Sequence, residues 1–247
     1  MNKTDKLTKA LEYLEDSLEN GVTPASVAKF AGFSLSHLTR TFEALFGVGP
    51  DEYISRRRLD PERWPPLRSL SERGFADISG VRIMDWPQFY ARGLMITTTA
   101  EDNRRKGIIS AFWQRVVSSE EILSLIAKTG CVDLLGVCWD YNPSDSSFSY
   151  GIAVESPHVA SFPSSDSGVT ILVPASTYAV FPIVGELPKA IETTRKAIYG
   201  EWFPVSGYEH AGTPEFEAFR IPGTDASPRT NELLAPAIWI PIRECAD

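Results

Sequence analysis

Beyond residue 80 the chain carries one pattern twice: an alternating apolar segment, a helical segment, and two more alternating segments. The first copy covers residues 81–98, 107–127, 133–142 and 148–156, and the second covers residues 168–185, 187–203, 215–221 and 235–242. Alternation with a period of two predicts strands, so each copy reads as β-α-β-β. One copy alone would expose an apolar face, whereas two copies joined into one antiparallel sheet with both helices on one side bury it. The predicted fold class is therefore α+β, a duplicated β-α-β-β domain that follows a small all-α module.

The second copy contains a carboxylate inside an aromatic strand, in the stretch PEFEAF. Alternation places Glu217 on one strand face with Phe219 and places Phe216 on the other, so both faces are partly apolar. A carboxylate there costs free energy unless it is solvated, paired, or placed to bind a cationic ligand. We interpret Glu217 as a functional carboxylate placed to bind a cationic ligand. An ion pair with Arg220 and an exposed edge position are the alternatives.

Aromatic residues surround this carboxylate in the predicted fold, and we expect the groove on the open sheet face opposite the helices, between the two copies. The candidate groove residues are Trp113, Trp139, Tyr141, Tyr150, Trp202, Glu217, Phe219 and Trp239. Aromatic faces attract cations, and a carboxylate in surroundings of low dielectric constant adds charge-specific attraction, so this set fits a flat organic cation. The alternative is that these rings are core, above all Trp113 and Trp202, which lie on predicted helices.

The string VPASTYAVFPIVGELPKAIETTRKAIYGEWFPVSGYEHAGTPEFEAFRIP, followed by APAIWIPI, resembles the GyrI-like family of effector-binding domains. The resemblance covers about residues 79–245. It implies the binding of lipophilic, often cationic compounds in an aromatic groove with a glutamate at its floor, which by motif position is Glu217. A subset of that family hydrolyses cyclopropane-containing compounds with such a glutamate and a nearby tyrosine. The resemblance therefore also implies Glu217 and Tyr150 as a candidate catalytic pair.

The first sixty residues predict short amphipathic helices. Thr23 and Pro24 are typical of a helix start, Gly32 of a turn, and Ser34 of the cap of a second helix over residues 35–46. Two short helices joined by a glycine-containing turn form a helix-turn-helix.

The string ASVAKFAGFSLSHLTRTFEALFGVGPDEYISRRRL is similar to the helix-turn-helix subdomain of AraC-type transcription regulators. The resemblance covers about residues 7–59. It implies that Ser36, His37, Thr39 and Arg40 face the major groove of DNA, and that Arg56, Arg57 and Arg58 lie near phosphates.

AraC-type DNA-binding regions carry two such subdomains, whereas here the proline-rich stretch DPERWPPLRSLSERGF follows the first. We therefore expect a module at residues 1–60, a linker at 61–78 and an effector-binding domain at 79–247. Residues 1–60 hold eight Lys and Arg against nine Asp and Glu, a net charge of −1 that gives little support for binding phosphates. The alternative is a helical bundle that packs but does not read DNA.

The formal charge of the whole chain is −8, which argues against bulk attraction to nucleic acid or to an anionic membrane. The N-terminus lacks the apolar stretch of a signal peptide, so we expect a cytoplasmic protein without a membrane partner. Three cysteines and three scattered histidines predict neither a disulfide framework nor a metal site, and we expect no cofactor.

Two classes of function remain open at this point. The first is a ligand-responsive transcription regulator for which DNA is at most a weak partner. The second is a small-molecule binder or hydrolase with a helical appendage. The sequence leaves the ligand, the oligomeric state and the occurrence of hydrolysis open.

Overall fold

The computed structural model describes residues 4–59, 80–131, 133–142, 145, 147–156, 168–221 and 236–245. The predicted linker at 61–78 lies outside these residues. The chain forms two compact units. The first consists of Met1–Ser79, Lys189–Gly212 and Arg243–Asp247, and the second of Gly80–Pro188 and Thr213–Ile242. The second unit begins at Gly80, and Lys189–Gly212 groups with the N-terminal helices in the first unit.

The helices are α1 (Thr4–Asp16), α2 (Pro24–Ala31), α3 (Leu35–Phe46), α4 (Pro50–Leu59), α5 (Ala100–Lys106), α6 (Ile108–Val116), α7 (Glu120–Thr129), α8 (Lys189–Ala197) and α9 (Phe203–Ser206). A 3-10 turn spans Leu18–Asn20, and a π-helical turn spans Ile198–Trp202. The strands are β1 (Arg82–Trp86), β2 (Phe89–Thr99), β3 (Asp133–Asn142), β4 (Ser147–Ser156), β5 (Val169–Val173), β6 (Ser176–Pro182), β7 (Tyr208–His210), β8 (Glu215–Arg220) and β9 (Ala237–Glu244). These elements make the fold α+β, as predicted.

Local sequence signals position the helices of the first unit. Thr23 and Ser26 form a reciprocal capping box at the start of α2, whose first residue is Pro24. Gly32 ends α2 with φ of 68°, a backbone conformation that costs glycine least, and Ser34 caps α3. The two helices therefore meet at a short turn.

Helices α1 to α4 enclose one apolar core. Its buried members are Leu7, Ala10, Leu11, Leu14, Val22, Val27, Ala28, Ala31, Leu38, Phe42, Leu45, Val48, Tyr53 and Ile54. A polar contact ties α4 to α1 beside this core, where Arg57 Nε donates to both carboxylate oxygens of Glu15 at 3.0 Å. Tyr53 also donates to Glu15, at 3.0 Å.

The remaining elements of the first unit are α8, the π-helical turn, α9 and β7. Helix α3 packs against α8, against the π-helical turn and against β7, and α1 packs against α9. The second helix of the N-terminal pair is therefore covered by a later segment of the chain.

The second unit is built on one antiparallel sheet with the strand order β1-β6-β9-β8-β3-β4-β2-β5. The order is symmetric about the β3–β8 pair, so β3 corresponds to β8, β4 to β9, β2 to β6 and β5 to β1. The first strand of each copy has crossed to the other copy, since β1 pairs with β6 and β5 pairs with β2. The sheet thus confirms the predicted duplication and adds a strand exchange that the pattern did not reveal.

Each face of the sheet carries its own core. Helices α6 and α7 cover one face, with Phe112, Val116, Ile122, Leu125, Leu134, Cys138, Tyr150, Ile152 and Val154 buried there. The opposite face buries Phe89, Ala91, Leu135, Val137, Ala153, Ile171, Val173, Tyr178, Val180, Phe216, Ala218, Ala237 and Trp239. We call these the helix face and the opposite face.

The single helix predicted over residues 107–127 is two helices. Helix α6 ends at Val116, and Ser119 starts α7 by accepting a hydrogen bond from the Ile122 N–H. Serine satisfies the first free backbone donors of a helix better when it caps than when it lies inside, so Ser118-Ser119 breaks the pattern.

Removing the Glu15 carboxylate should destabilise the first unit, because Arg57 and Tyr53 share it as an acceptor in a largely buried setting. We expect Glu15→Ala to lower the free energy of unfolding by about 2 kcal/mol. The matched control is Glu52→Ala, which removes a half-exposed partner of Arg56 one helical turn away and should cost less than about 0.5 kcal/mol. Urea unfolding of both variants measures the difference, and equal costs would contradict the importance of the Glu15 contact.

Candidate ligand-binding site

The site begins with Glu217, which lies on β8 in the middle of the sheet. In the ladder Gly136 of β3 is its partner on one side and Ile238 of β9 on the other. The side chain is only 4% exposed. Arg220 forms its ion pair with Asp133, its Nε lying 2.6 Å from Asp133 Oδ1. Both alternatives for Glu217, an exposed edge position and a pair with Arg220, are therefore excluded.

Glu217 is held by a chain of two hydrogen bonds that begins on α6. The indole Nε1 of Trp113 donates to the Tyr150 hydroxyl oxygen at 2.9 Å, and the Tyr150 hydroxyl donates to Glu217 Oε2 at 2.9 Å. An indole N–H can only donate, so it occupies the Tyr150 oxygen as an acceptor and leaves the phenol proton directed at the carboxylate. Tyr150 itself is 2% exposed.

Gly136 makes this contact possible. A Cβ atom at Gly136 would overlap the Tyr150 hydroxyl and lie 3.0 Å from Glu217 Oε2. The phenol therefore reaches the carboxylate through the space that a missing side chain leaves. Sequence reasoning did not select Gly136, although a glycine inside a strand is a signal of close approach.

Two further groups lie on the same face of the sheet. The Phe219 ring meets the Trp113 ring edge to face, with centroids 5.2 Å apart. Glu215 is 2% exposed and pairs in the ladder with Cys138. The site thus combines a buried carboxylate, a phenol and aromatic faces, and a second carboxylate lies two residues away on the same strand.

Four of the candidate groove residues do not join this group. Trp239 is fully buried on the opposite face, stacked on Phe216 at 5.3 Å, and Trp139 packs against that same core. Tyr141 lies near the end of β3 and is half-buried. Trp202 belongs to the first unit, where it stacks on Tyr208. The expectation of one groove on the face opposite the helices is corrected, because Glu217, Tyr150 and Trp113 meet on the helix face.

An open cavity of about 680 Å³ lies in the second unit. It is lined by Leu94, Met95, Phe112, Arg115, Val116, Ser119, Glu121, Gly168 and Val169. Glu217 and Tyr150 are not among these residues, so the cavity does not reach the carboxylate. Helix α6 contributes Phe112, Arg115 and Val116 to the cavity and Trp113 to the carboxylate site.

The side chains predicted to read DNA are largely inside the first unit. His37, Thr39 and Arg40 are buried, and Ser36 is half-buried. The physical reason is that α3 packs against the segment from α8 to β7, which occupies the space in front of these side chains. This arrangement does not offer α3 to a major groove.

The three arginines predicted to lie near phosphates all contact the protein itself. Arg57 binds Glu15, and Arg56 pairs with Glu52 one turn earlier on α4. Arg58 donates to the backbone carbonyl oxygens of Leu18 and Val22 at 2.8 and 3.2 Å. Arg57 and Arg58 thus tie α4 to its surroundings, whereas the Arg56 pair lies within α4.

His37 is the most perturbed titratable group in this region. Its pKa is lowered to about 4, mainly by burial and further by His210 and Arg40, while Glu209 acts in the opposite direction. Its Nδ1 is buried and has no hydrogen-bond partner within the part of the chain that the structure describes. The imidazole is therefore neutral at physiological pH.

Two classes of site are not found among the described residues. They contain no group of three or more His, Cys, Asp and Glu side chains that could hold a metal ion. None of their helices has the length and apolar character needed to cross a membrane.

Residues 82–242 match the sequence profile of a family described as Cass2, integron-associated effector binding protein. No curated protein matches the chain with significance. The family match covers the strands of the second unit together with α8, α9 and β7.

Solved structures align with this chain at low sequence identity, and the one with a TM-score above 0.5 shares its fold. The structure of SAV2435 bound to tetraphenylphosphonium is 22% identical with a TM-score of 0.51, over 66% of this chain and 93% of that one. A putative bacterial transcription regulation protein from Staphylococcus aureus MU50 is 20% identical with a TM-score of 0.49, over 69% and 99% of the two chains. The integron cassette protein VCH_CASS2 from the mobile metagenome of Vibrio cholerae is 17% identical with a TM-score of 0.49, over 67% and 97%.

A side chain at Gly136 should push the Tyr150 phenol away from Glu217. We expect Gly136→Ala to destabilise the protein in the wild-type background and to cost less in a Tyr150→Phe background, where the hydroxyl is gone. A double-mutant cycle from urea unfolding should give a coupling of about 1 kcal/mol or more. Additive costs would contradict the assigned role of Gly136.

The lowered pKa of His37 makes the stability of the first unit pH-dependent. The unfolded chain, with an ordinary histidine pKa of 6.5, binds more protons than the folded chain between pH 6.5 and about 4. Stability should therefore fall as the pH drops through this window, by at most about 3 kcal/mol from this residue. The His37→Gln variant lacks the titration, so its melting temperature should fall less steeply than that of the wild type. Parallel curves would contradict the buried neutral imidazole.

Proposed function

This chain belongs to the Cass2 family of integron-associated effector-binding proteins, and from that premise we propose that it binds a lipophilic organic cation at Glu217. The single observation that carries the proposal is the burial of the Glu217 carboxylate under aromatic side chains, with a phenol as its hydrogen-bond donor. A carboxylate in such surroundings attracts a cation more strongly than one in water does. The ring faces of Trp113 and Phe219 add an attraction for the same charge.

The class of ligand follows from the groups present around Glu217 and from the absence of a metal-binding group among the described residues. A small hydrated cation would lose its water shell without gaining enough oxygen ligands, since the described residues form no metal-binding group. A cation whose charge is spread over aromatic rings loses little hydration and gains apolar contact. Tetraphenylphosphonium, which the structural neighbour SAV2435 binds, is such a cation and is the natural probe.

Access to the carboxylate requires a shift of its cover. Glu217 and Tyr150 are almost fully buried, and Trp113 of α6 is bonded to Tyr150. A ligand that replaces the hydrogen bond from Tyr150 to Glu217 must therefore displace Trp113. This requires α6 to move. The tryptophan reports this step directly through its fluorescence.

A second candidate function is hydrolysis of a strained ring, favoured by the direct contact between Tyr150 and Glu217. The carboxylate would take a proton from water as the water oxygen attacks a ring carbon, and the phenol would protonate the carbon released when the strained bond breaks. A change at Tyr150 distinguishes hydrolysis from cation binding, because its hydroxyl is needed for proton transfer but not for the attraction of a cation.

Transcription regulation is the role implied by the likeness to AraC-type regulators. It requires contact with DNA, and the burial of His37, Thr39 and Arg40 argues against that contact in this arrangement. The observations therefore favour the binder over the regulator.

Replacing Glu217 by glutamine should separate the contribution of its charge to ligand affinity from the contribution of the shape of the site. The amide still accepts a hydrogen bond from Tyr150 and leaves the aromatic walls in place, so only the electrostatic attraction is lost. We expect Glu217→Gln to weaken tetraphenylphosphonium binding by about tenfold or more, which is about 1.4 kcal/mol, and to leave a neutral compound such as triphenylphosphine oxide almost unaffected. Calorimetric titration and the quenching of Trp113 emission measure both affinities.

Glu186→Gln is the matched control, because it removes one exposed carboxylate from the same unit and should leave both affinities unchanged. Tyr150→Phe should retain cation binding and abolish any turnover of a cyclopropane substrate. If wild type and Glu217→Gln bind the phosphonium equally well, or if neither binds it, the proposed site is wrong.

A further inference from the structure

Helix α3 of the first unit is buried on the side that a helix-turn-helix would present to DNA. The partner that covers it is the segment Tyr199–His210 of the same chain, which contains the end of the π-helical turn, α9 and β7. This segment lies within the residues that match the effector-binding family, whereas α3 precedes them. The contact therefore joins the N-terminal helices to a segment of the family domain.

The centre of this contact consists of aromatic side chains that are buried from solvent. The His37 imidazole meets the Phe33 ring and the Phe203 ring edge to face, each at a centroid distance of 4.8 Å, and the Tyr199 ring lies at 6.3 Å. His37 is 3% exposed, and Phe203 and Tyr199 are buried as well. A surface kept for DNA would carry solvated polar groups, whereas this one is packed like a protein interior.

The N-terminal end of α3 is occupied by a carboxylate. The backbone N–H of Ser34, the capping residue, donates to Glu209 Oε2 at 3.2 Å, and Arg243 Nε donates to Glu209 Oε1 at 2.7 Å. Helix N-termini attract anions through their free N–H groups and their dipole, and this is the end that a reading helix brings to the duplex. Glu209 therefore places a negative charge at the end of α3 that a reading helix would present to DNA, which is itself negatively charged.

The rest of the module offers little attraction for DNA even apart from this cover. Residues 1–60 have a net charge of −1, and the arginines of α4 are engaged by Glu15, Glu52 and backbone carbonyl groups. Nonspecific DNA affinity comes almost wholly from Lys and Arg side chains that neutralise phosphates and release the counterions condensed on DNA, so this module lacks the main source of such affinity.

We infer that α3 is a protein-docking helix whose partner is the segment Tyr199–His210, with the Glu209 carboxylate bound at its N-terminal end. The module uses the geometry of a helix-turn-helix to hold a segment of its own effector-binding domain. This role goes beyond the binding of a cation at Glu217 and does not depend on it.

The first test is DNA binding by the full chain. At about 50 mM salt we expect no binding to random-sequence duplex DNA beyond that of an acidic control protein. Binding that weakens steeply with salt and is lost in Arg40→Ala would overturn the inference.

The second test measures docking directly through thiol labelling of the full chain. Thr39→Cys places a thiol inside the contact, and Ser55→Cys places one on the exposed side of α4. The labelling of the native cysteines, measured on the wild type, is subtracted from both rates. We expect Thr39→Cys to react at least tenfold more slowly than Ser55→Cys, and the added substitution Glu209→Gln to accelerate only the former. Equal labelling rates at the two positions would overturn the inference.

The Glu209→Gln variant also separates docking from autoinhibition, because it keeps the size of the side chain and removes the charge. If docking is the function of α3, this variant still fails to bind DNA. A gain of salt-dependent DNA affinity in this variant would overturn the inference and assign the contact to inhibition of a DNA reader.

Discussion

The buried carboxylate of Glu217 imposes conditions on every residue near it. A charged group in the middle of a sheet needs a donor, and Tyr150 supplies one from the second strand away. The phenol fits only because Gly136, on the strand between them, has no side chain. Trp113 then fixes the direction of the phenol proton from above. A change at any of these positions would alter the hydrogen bond that stabilises the buried carboxylate. A ligand that binds Glu217 would have to compete with that hydrogen bond.

If the site binds a cation as proposed, this competition would give it selectivity. A neutral molecule that entered would separate Glu217 from its donor without compensating the charge, which costs free energy. A cation compensates the charge as it displaces the phenol. In the proposed function, the closed state with its internal hydrogen bonds would therefore act against neutral compounds and against water. The second carboxylate, Glu215 on the same strand face, would add to the negative potential that attracts a cation.

The sequence predicted what depends on local spacing. The caps at Thr23 and Ser34, the alternation of the strands and the duplication all follow from near neighbours along the chain, and the structure bears them out. Which residues form the site depends on how neighbouring strands pair, and the sequence of one strand alone does not give this register. With Gly136 paired to Glu217, Trp139 falls on the opposite face, and the pairing of Trp239 with Phe216 places it there too. The cover over α3 was hidden for a similar reason, because the residues that contact it lie far along the chain.

The exchange of first strands between the two copies has a consequence for their ancestry and folding. A half-length chain with this pattern would have β2 or β6 at an edge without its neighbour, and it would complete the sheet with the first strand of a second molecule. Such a polypeptide would exist as an intertwined symmetric dimer, and duplication and fusion of its gene would give the present arrangement. The fused chain inherits the interlocking: neither half can finish its sheet until the other has contributed a strand. Folding of the second unit must then await contacts between distant parts of the chain, which makes it slow for its size.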